Sequence, residues 1–305
     1  MVFEEEYHVP VMLQECIEAL DIKPCGTYVD VTFGGGGHSR AILEKLSSEG
    51  RLFAFDQDPD AVANAIDDER FCLIEENFDK LSESLRLYRA TKIDGIIADL
   101  GISSHQIDCP ERGFSTRFDG ALDLRMDYRH GLTASDVVNS YSQQELCRVF
   151  SEYGELGNAY NISKLIASRQ SEGIFSTSDL QNLLQRLAPK GKENKFFAKV
   201  FQALRIEVNQ ELEALKKMLS QSAGLLAEGG RLVVMSYHSL EDRIVKNFMK
   251  TGNCEGEVKK DFFGNVVSDF EVLTRKPVVA SEEEMQLNPR SRSAKLRVAK
   301  KRHGI

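Results

Sequence analysis

A run of glycines with an acidic residue beyond it is the first pattern in the chain that could do chemistry. Gly34–Gly37 follow an apolar stretch, residues 28–33, and Asp56 follows a second one, residues 51–55. Glycine lacks a Cβ atom, so this backbone can adopt positive φ angles and press close to a ligand. Nucleotide-binding α/β folds place an acid about 20 residues past such a loop, where it holds ribose hydroxyls. The spacing predicts a nucleoside-cofactor site, whereas the simpler alternative is a glycine-rich turn that only connects strand to helix.

The glycine pattern and a nearby acid discriminate between classes of cofactor. The dinucleotide fingerprint G-x-G-x-x-G needs a third glycine, but counting from Gly34 that position holds Ser39, and counting from Gly36 it holds Ala41. Asp30, in the strand before the loop, would repel a pyrophosphate and suits a cation. S-adenosylmethionine carries an ammonium and a sulfonium and has no phosphate. The sequence therefore favours S-adenosylmethionine over NAD or FAD.

The segments that must position these residues alternate between strand-like and helical patterns. Such alternation predicts a doubly wound parallel sheet whose ligands bind along the carboxyl ends of its strands. Phe78, which follows the third strand, is predicted either to lie against an adenine ring or to join the core. Residues 269–273 and 276–279 are predicted to close the sheet as an antiparallel pair. The remaining predicted strands are residues 27–33, 51–55, 71–74, 93–101 and 231–236, and the predicted helices between them are 38–48, 59–66 and 79–88.

Helical patterns replace this alternation in the middle of the chain. They include a segment at residues 178–187, for which Ser178 is the predicted N-cap. We therefore predict three parts: a first core segment at 1–109, an inserted helical substrate-recognition subdomain at 110–204, and a second core segment at 205–305. A single long helix, residues 200–226, is predicted to return the chain to the sheet.

Composition limits the class of protein. The charged fraction of 28% and hydrophobic fraction of 42% are those of an ordinary soluble globular protein. No apolar run approaches the roughly 20 residues of a membrane span, and the acidic N-terminus has no apolar segment typical of secretion. The six cysteines contain no C-x-x-C pair, which favours reduced thiols in the cytoplasm over disulfides or a metal cluster. We expect a cytoplasmic protein with no membrane partner and no metal.

The net charge of −8 argues at first against a nucleic-acid partner. The C-terminal residues 290–305, however, carry seven basic side chains and no acidic one. Such a block is predicted either to be a solvated basic tail or to bind phosphates, and charge alone does not separate the two.

Several longer motifs resemble the bacterial 16S ribosomal RNA cytosine-N4 methyltransferases, the RsmH or MraW family. The resemblance implies a class I S-adenosylmethionine-dependent methyltransferase, a Rossmann-like doubly wound α/β sheet with an inserted helical subdomain. It implies that the substrate is a decoding-centre cytidine of 16S rRNA in the small ribosomal subunit. Residues 196–200 depart from the family pattern, so no RNA contact is carried over to them. The motifs span nearly the whole chain: His8-x-Pro10-Val11, DVTFGGGGHS (30–39), Asp56-x-Asp58, Asn77-Phe78, DLGISSHQID (99–108), RGFS (112–115), LDLRMD (122–127), FQALRIEVNQEL (201–212), SYHSLEDRIVK (236–246) and NPRSRSAKLR (288–297). The cofactor contacts that the resemblance implies are Gly36, Gly37, His38, Asp56, Phe78, Asp99 and Gln106.

The expected chemistry sets a requirement for the catalytic residues. Cytosine N4 is a poor nucleophile, so methyl transfer needs the amine held in line and its hydrogens accepted by protein atoms. DNA amino-methyltransferases use a (D/N/S)-P-P-(Y/F) loop, and this chain has no Pro-Pro pair. The candidate acceptors are Asp99, Ser103, Asp123 and His238, and the sequence does not choose among them. Tyr237 is a candidate for stacking on an extruded base.

Two other functional classes stay open at this point. A dinucleotide oxidoreductase would use the same glycine loop and Asp56, although the third glycine is missing. A non-catalytic RNA-binding or assembly factor would keep the fold without the chemistry. The oligomeric state is not predicted.

Overall fold

A computed structural model describes residues 10–264 and 266–303, so His8 of the first motif lies outside the described residues. Its sheet contains seven strands in the order β3-β2-β1-β4-β5-β7-β6. Strands β1 to β5 pair in parallel, whereas β7 is antiparallel to both β5 and β6. This arrangement confirms the predicted class I methyltransferase fold. The strands are β1 Thr27–Asp30, β2 Arg51–Phe55, β3 Phe71–Ile74, β4 Ile93–Asp99, β5 Leu226–Ser236, β6 Phe270–Val272 and β7 Lys295–Lys301.

Six of the twelve described helices begin at a side chain that caps them. Capping boxes precede α4, α5, α6, α8 and α11, where a side chain before the helix and one in its first turn satisfy each other's backbone N–H groups. The described helices are α1 Leu13–Leu20, α2 Gly37–Lys45, α3 Leu81–Leu87, α4 Ser104–Asp108, α5 Ala134–Ser140, α6 Gln143–Glu152, α7 Ala159–Ala167, α8 Thr177–Leu184, α9 Glu193–Asn209, α10 Glu211–Leu225, α11 Ser239–Thr251 and α12 Glu282–Leu287.

Three helix predictions are corrected in detail. The N-cap of α8 is Ser176, whose hydroxyl accepts from the Asp179 N–H, and not Ser178. The predicted helix at 59–66 is a 3₁₀ helix, Pro59–Asn64. The predicted single helix at 200–226 is two helices, because Gln210 adopts a left-handed conformation with φ of 51° between α9 and α10.

Both faces of the sheet are buried, as the strand composition requires. Successive side chains of a strand point to opposite faces. Val29 packs with the side chains of α3, α10 and α11 on one face, and its neighbour Tyr28 packs with those of α1 and α2 on the other. Near-continuous apolar strands are typical of a parallel sheet that is covered on both sides.

The chain divides into two compact units. The first contains the sheet and consists of the residues up to Gly101 together with those from Leu212 onward; the second is Ile102–Glu211. The sequence placed the insertion at 110–204, so the observed unit is longer at both ends. The second unit has its own core of α5 to α9, in which the family-divergent Phe196, Phe197 and Val200 are buried.

The C-terminal part of the sheet differs from its prediction. Strand β6 pairs with β7, while residues 276–279 contribute only an isolated bridge between Val278 and Leu296. Residues 295–301 of the basic block are therefore an inner strand and not a solvated tail. Leu296 and Val298 are buried, and the buried guanidinium of Arg297 donates to Asp242 at 2.6 and 3.2 Å. A buried ion pair allows a basic sequence to form an inner strand.

Candidate functional site

Strands β1 to β5 run in parallel, so the residues that follow them meet along one edge of the first unit. The glycine loop follows β1, Asp56 follows β2, and Phe78 lies in the segment after β3. Asp99 ends β4, and Tyr237 comes directly after β5. Ligands of open α/β sheets bind at this edge.

The glycine loop and Asp56 are joined by a direct hydrogen bond. The Gly34 N–H donates to Asp56 Oδ2 at 2.7 Å, and the Asp58 N–H donates to Asp56 Oδ1 at 2.8 Å. Gly36 has a φ of 77° and is the N-cap of α2. Asp56 therefore faces the loop, in the place from which an acid at the end of β2 reaches a ribose.

Gly35 differs from its two neighbours in what a side chain would meet. A Cβ atom on Gly37 would lie 2.1 Å from Pro10 Cγ, and one on Gly36 would lie 2.9 Å from the Phe33 ring. Among the described residues, a Cβ atom on Gly35 would meet nothing within 4 Å, and its φ is not in the left-handed region. Folding therefore accounts for Gly36 and Gly37. The space above Gly35 can take a ligand.

This contrast leads to a test of the cofactor cradle. In Gly35→Ala we expect an unchanged melting temperature and an affinity for S-adenosylmethionine that is about tenfold weaker or worse, because filling a close-packed contact costs about 1–3 kcal/mol. Isothermal titration calorimetry measures the affinity. Gly157→Ala in the second unit is the matched control, since its Cβ atom also meets nothing within 4 Å of the described residues. Equal affinities of the two variants would mean that the ligand does not lie over Gly35.

Three acids give this edge an excess of negative charge. The pKa of Asp30, Asp56 and Asp99 is raised to about 6 each, mainly by burial, and the charge of Asp30 contributes to the rise at the other two. All three are still largely ionised at neutral pH. A cation beside the loop would relieve their repulsion, which fits the sulfonium and ammonium of S-adenosylmethionine and not a pyrophosphate.

Asp30 can act on a bound ligand through its charge, but its carboxylate is not exposed for direct contact. It is 1% exposed, and it accepts from Ser39 Oγ at 2.8 Å and from the Thr32 N–H at 3.1 Å. The sequence placed this acid in the strand before the loop and predicted that it suits a cation. The structure places it beneath the loop, where it joins β1 to the first turn of α2.

Asp99 is held on two sides. Its N–H donates to Thr32 Oγ1 at 2.7 Å, and its Oδ1 accepts from the Tyr237 hydroxyl at 2.7 Å. Asp99 as a residue is partly exposed at the sheet edge, and its carboxyl is surrounded by protein closely enough to raise its pKa. The sequence did not predict this hydrogen bond from Tyr237 to Asp99. The SYHSLEDRIVK motif indicated Tyr237 only as a candidate for stacking on a base.

His38 and Phe78 belong to the same edge and are both held by packing. His38 is buried with Nε2 3.2 Å from the Val11 carbonyl oxygen, and burial lowers the pKa of its imidazole. The Phe78 ring is partly buried against the core of the sheet. Their predicted cofactor contacts remain predictions, as do those of Gly36 and Gly37.

His238 has a structural role in this structure. It is the N-cap of α11, its Nδ1 accepts from the Glu241 N–H at 3.4 Å, and its side chain is 9% exposed. Glu241 completes the cap by accepting from the His238 N–H at 3.4 Å, and it also accepts from the Tyr237 N–H at 2.9 Å. The cap therefore occupies Nδ1, while the buried Nε2 lies 3.2 Å from Glu241 Oε1 and makes no hydrogen bond to a described residue.

The other predicted site residues lie in the second unit. Ser103 and Gln106 form the capping box of α4, in which the Ser103 N–H donates to Gln106 Oε1 at 3.1 Å. Asp123 accepts from Nε and Nη2 of Arg125 at 2.8 Å each. The structure thus gives each of them a local partner, and their parts in cofactor or substrate binding remain predictions.

The comparison with known families identifies the chain. A family model described as the MraW methylase family matches residues 5–302. The chain belongs to the MraW methylase family. This membership agrees with the resemblance drawn from the motifs, and the expected cofactor of the family, S-adenosylmethionine, is confirmed.

Relatives match the chain from end to end. The protein named Ribosomal RNA small subunit methyltransferase H of Flavobacterium psychrophilum is 54% identical over 292 residues, covering 95% of this chain and 100% of that protein. Its namesake in Parabacteroides distasonis is 54% identical, with 97% of each chain covered. That of Bacteroides thetaiotaomicron is 52% identical over 98% of this chain and 99% of the relative. Within the described residues, no helix has the length and apolar character needed to cross a membrane.

Proposed function

We propose that this MraW-family chain methylates the RNA of the small ribosomal subunit, with S-adenosylmethionine as donor. The observation that carries this proposal is identity of 52–54% to small-subunit methyltransferases over nearly the full length of both chains. The finer part of the proposal is the acceptor, the N4 amine of a decoding-centre cytidine in 16S rRNA. Cytoplasmic location and action on the assembled subunit are part of the same proposal.

Different residues of the sheet edge bind different parts of the cofactor. When bound, S-adenosylmethionine supplies a methyl group made electrophilic by its sulfonium. Asp56 lies where it can accept from the ribose hydroxyls, and the backbone at Gly35 leaves room for close approach. The negative charge shared by Asp30, Asp56 and Asp99 favours a cationic ligand at the same place. Phe78 supplies an apolar surface for an adenine ring.

Among the candidate proton acceptors, Asp99 is the best placed. The acceptor amine loses one proton for the methyl group that it gains, so a base must lie beside it. Asp99 is partly exposed at the sheet edge, and its Oδ2 makes no hydrogen bond to any described residue. His238 and Asp123, in contrast, are engaged by a helix cap and by Arg125. We therefore assign to the Asp99 carboxylate the acceptance of the N4 proton.

The basic residues near the C-terminus are re-evaluated for RNA binding. Arg297 is buried against Asp242 and cannot bind phosphate without breaking that pair. Arg290 and Arg292, on the 3₁₀ helix Pro289–Ser293, remain candidates for phosphate contacts. Truncation before residue 295 would remove β7. Side-chain substitutions are therefore the appropriate test of phosphate binding by Arg290 and Arg292.

The proposed function is tested by methyl transfer to a defined substrate. Small subunits from a strain that lacks this methylation are incubated with the enzyme and tritiated S-adenosylmethionine, and the RNA is digested to nucleosides. We expect label in N4-methylcytidine, from assembled subunits and not from already methylated ones. Label in another nucleoside would overturn the assignment of the acceptor. RNA binding without any label would indicate a non-catalytic RNA-binding factor.

A further inference from the structure

We infer that Tyr237 is a positioning residue for the methyl transfer: its hydroxyl fixes Oδ1 of Asp99, so that Oδ2 is directed to the substrate amine. This inference rests on the proposed function, because it assigns to Tyr237 a part in that reaction. It also gives Tyr237 a role different from stacking on an extruded base. The two contacts of Asp99 and the anchoring of Tyr237 itself carry the argument.

The backbone contact of Asp99 does not fix the rotation of its carboxylate. The Thr32 hydroxyl accepts from the backbone N–H of Asp99 and leaves its carboxylate free to turn. The terminal torsion of an aspartate is broad and roughly two-fold, so backbone placement alone does not fix which oxygen faces a ligand. The 2.7 Å bond from the Tyr237 hydroxyl is the contact that makes the two oxygens inequivalent.

Tyr237 is held through its backbone N–H, and one edge of its ring lies close to Gly101. Its N–H donates to Glu241 Oε2 at 2.9 Å, within the cap of α11. A Cβ atom on Gly101 would lie 3.2 Å from the Tyr237 ring, and Gly101 has a φ of 121°. The ring therefore lies close over a backbone position that favours glycine. A side chain there would crowd the ring and displace the hydroxyl.

The protonation states of Tyr237 and Asp99 suit a donor and an acceptor. Burial, and next the nearby Asp99, raise the pKa of Tyr237 well above its usual range, so the hydroxyl stays protonated and donates. Burial raises the pKa of Asp99 to about 6, and the bond from Tyr237 opposes that rise. The hydroxyl thus both orients the carboxylate and keeps it ionised, which a proton acceptor requires. Other titratable groups act on Asp99 from four elements and stay the same when only the hydroxyl is removed: His38 of α2, Asp30 of β1, Glu241 of α11 and Cys16 of α1.

The experiment is the pH profile of Tyr237→Phe, measured as turnover at saturating S-adenosylmethionine and undermethylated small subunits. We expect turnover on the alkaline plateau to fall about tenfold, since the carboxylate is no longer oriented. We also expect the acid limb, near pH 6 in the wild type, to move upward by about one unit, because the neutral form of Asp99 is now favoured. KM for the subunit should stay within about twofold.

Tyr28→Phe is the matched control. Its hydroxyl also makes a 2.7 Å hydrogen bond within the same unit, accepting from the Lys23 N–H, and it has no contact with Asp99. This variant should lose some stability and keep the wild-type pH profile. NMR titration of the Asp99 carboxyl in wild type and Tyr237→Phe measures the same shift without any substrate.

The outcomes separate the two claims. Slower transfer in Tyr237→Phe with an unmoved acid limb would reduce Tyr237 to a structural residue and overturn the inference. Turnover equal to wild type would overturn it as well. A wild-type enzyme that transfers no methyl group to the RNA would overturn the proposed function, and the inference with it.

Discussion

Asp99→Ala is expected to lower the turnover of methyl transfer by about 10²- to 10⁴-fold, the usual contribution of a general base. Alanine removes the carboxylate that binds the Tyr237 hydroxyl, on a residue whose N–H is bonded to Thr32 just before the glycine loop. Single-turnover methyl transfer with excess enzyme measures the chemical step separately from product release.

The design must separate loss of chemistry from loss of cofactor binding, because the family resemblance also implies that Asp99 contacts the cofactor. Calorimetric titration with S-adenosylmethionine is therefore run on the same preparation, and turnover is compared only at saturating donor. Asp99→Asn keeps a hydrogen-bond acceptor but cannot take a proton at neutral pH, and it should lie nearer to alanine than to wild type. If Asp99→Ala retains wild-type turnover, the proton acceptor lies elsewhere, and Ser103, Asp123 and His238 become the candidates again.

Arg297→Met is expected to destabilise the first unit by about 3 kcal/mol, the lower end of the cost of breaking a buried ion pair. The substitution leaves the carboxylate of Asp242 partly buried and without its guanidinium partner. Lys295 Nζ lies 3.6 Å from the same carboxylate and offsets part of the loss, which sets the estimate at the lower end. Urea unfolding followed by circular dichroism measures the change.

Two further variants make this prediction specific to the buried pair. Lys80→Met removes an exposed partner of Glu76 and should cost no more than about 1 kcal/mol. The double variant Asp242→Leu with Arg297→Met replaces both charges by apolar groups and should recover most of the lost stability. A loss in Arg297→Met as small as that in Lys80→Met would show that β7 does not depend on this pair.

The pair also changes how two of the long motifs are understood. Asp242 lies in SYHSLEDRIVK and Arg297 in NPRSRSAKLR, and both segments had suggested substrate or phosphate binding. Asp242 and Arg297 bind each other, across 55 positions of sequence. Part of what resembles a binding motif in sequence therefore holds the sheet together.

The sequence by itself determined the part of the molecule that local patterns encode. Apolar runs of strand length, a glycine run and the spacing to Asp56 are short-range signals. They placed β1 to β4 and the edge of the candidate cofactor site. Two further local features indicated S-adenosylmethionine. The missing third glycine disfavours a dinucleotide, and the acid of β1 disfavours a pyrophosphate.

Only the tertiary structure decided the features that depend on distant partners. Strand β7 was not recognisable, because a basic segment becomes an inner strand only when Asp242 neutralises Arg297. The break at Gln210 and the limits of the second unit follow from packing that no local pattern shows. The bond from Tyr237 to Asp99 joins residues 138 positions apart, and it exists because β4 and β5 are neighbours that end at one edge. Sequence named the candidate residues of the site; the pairing of strands decided which of them meet.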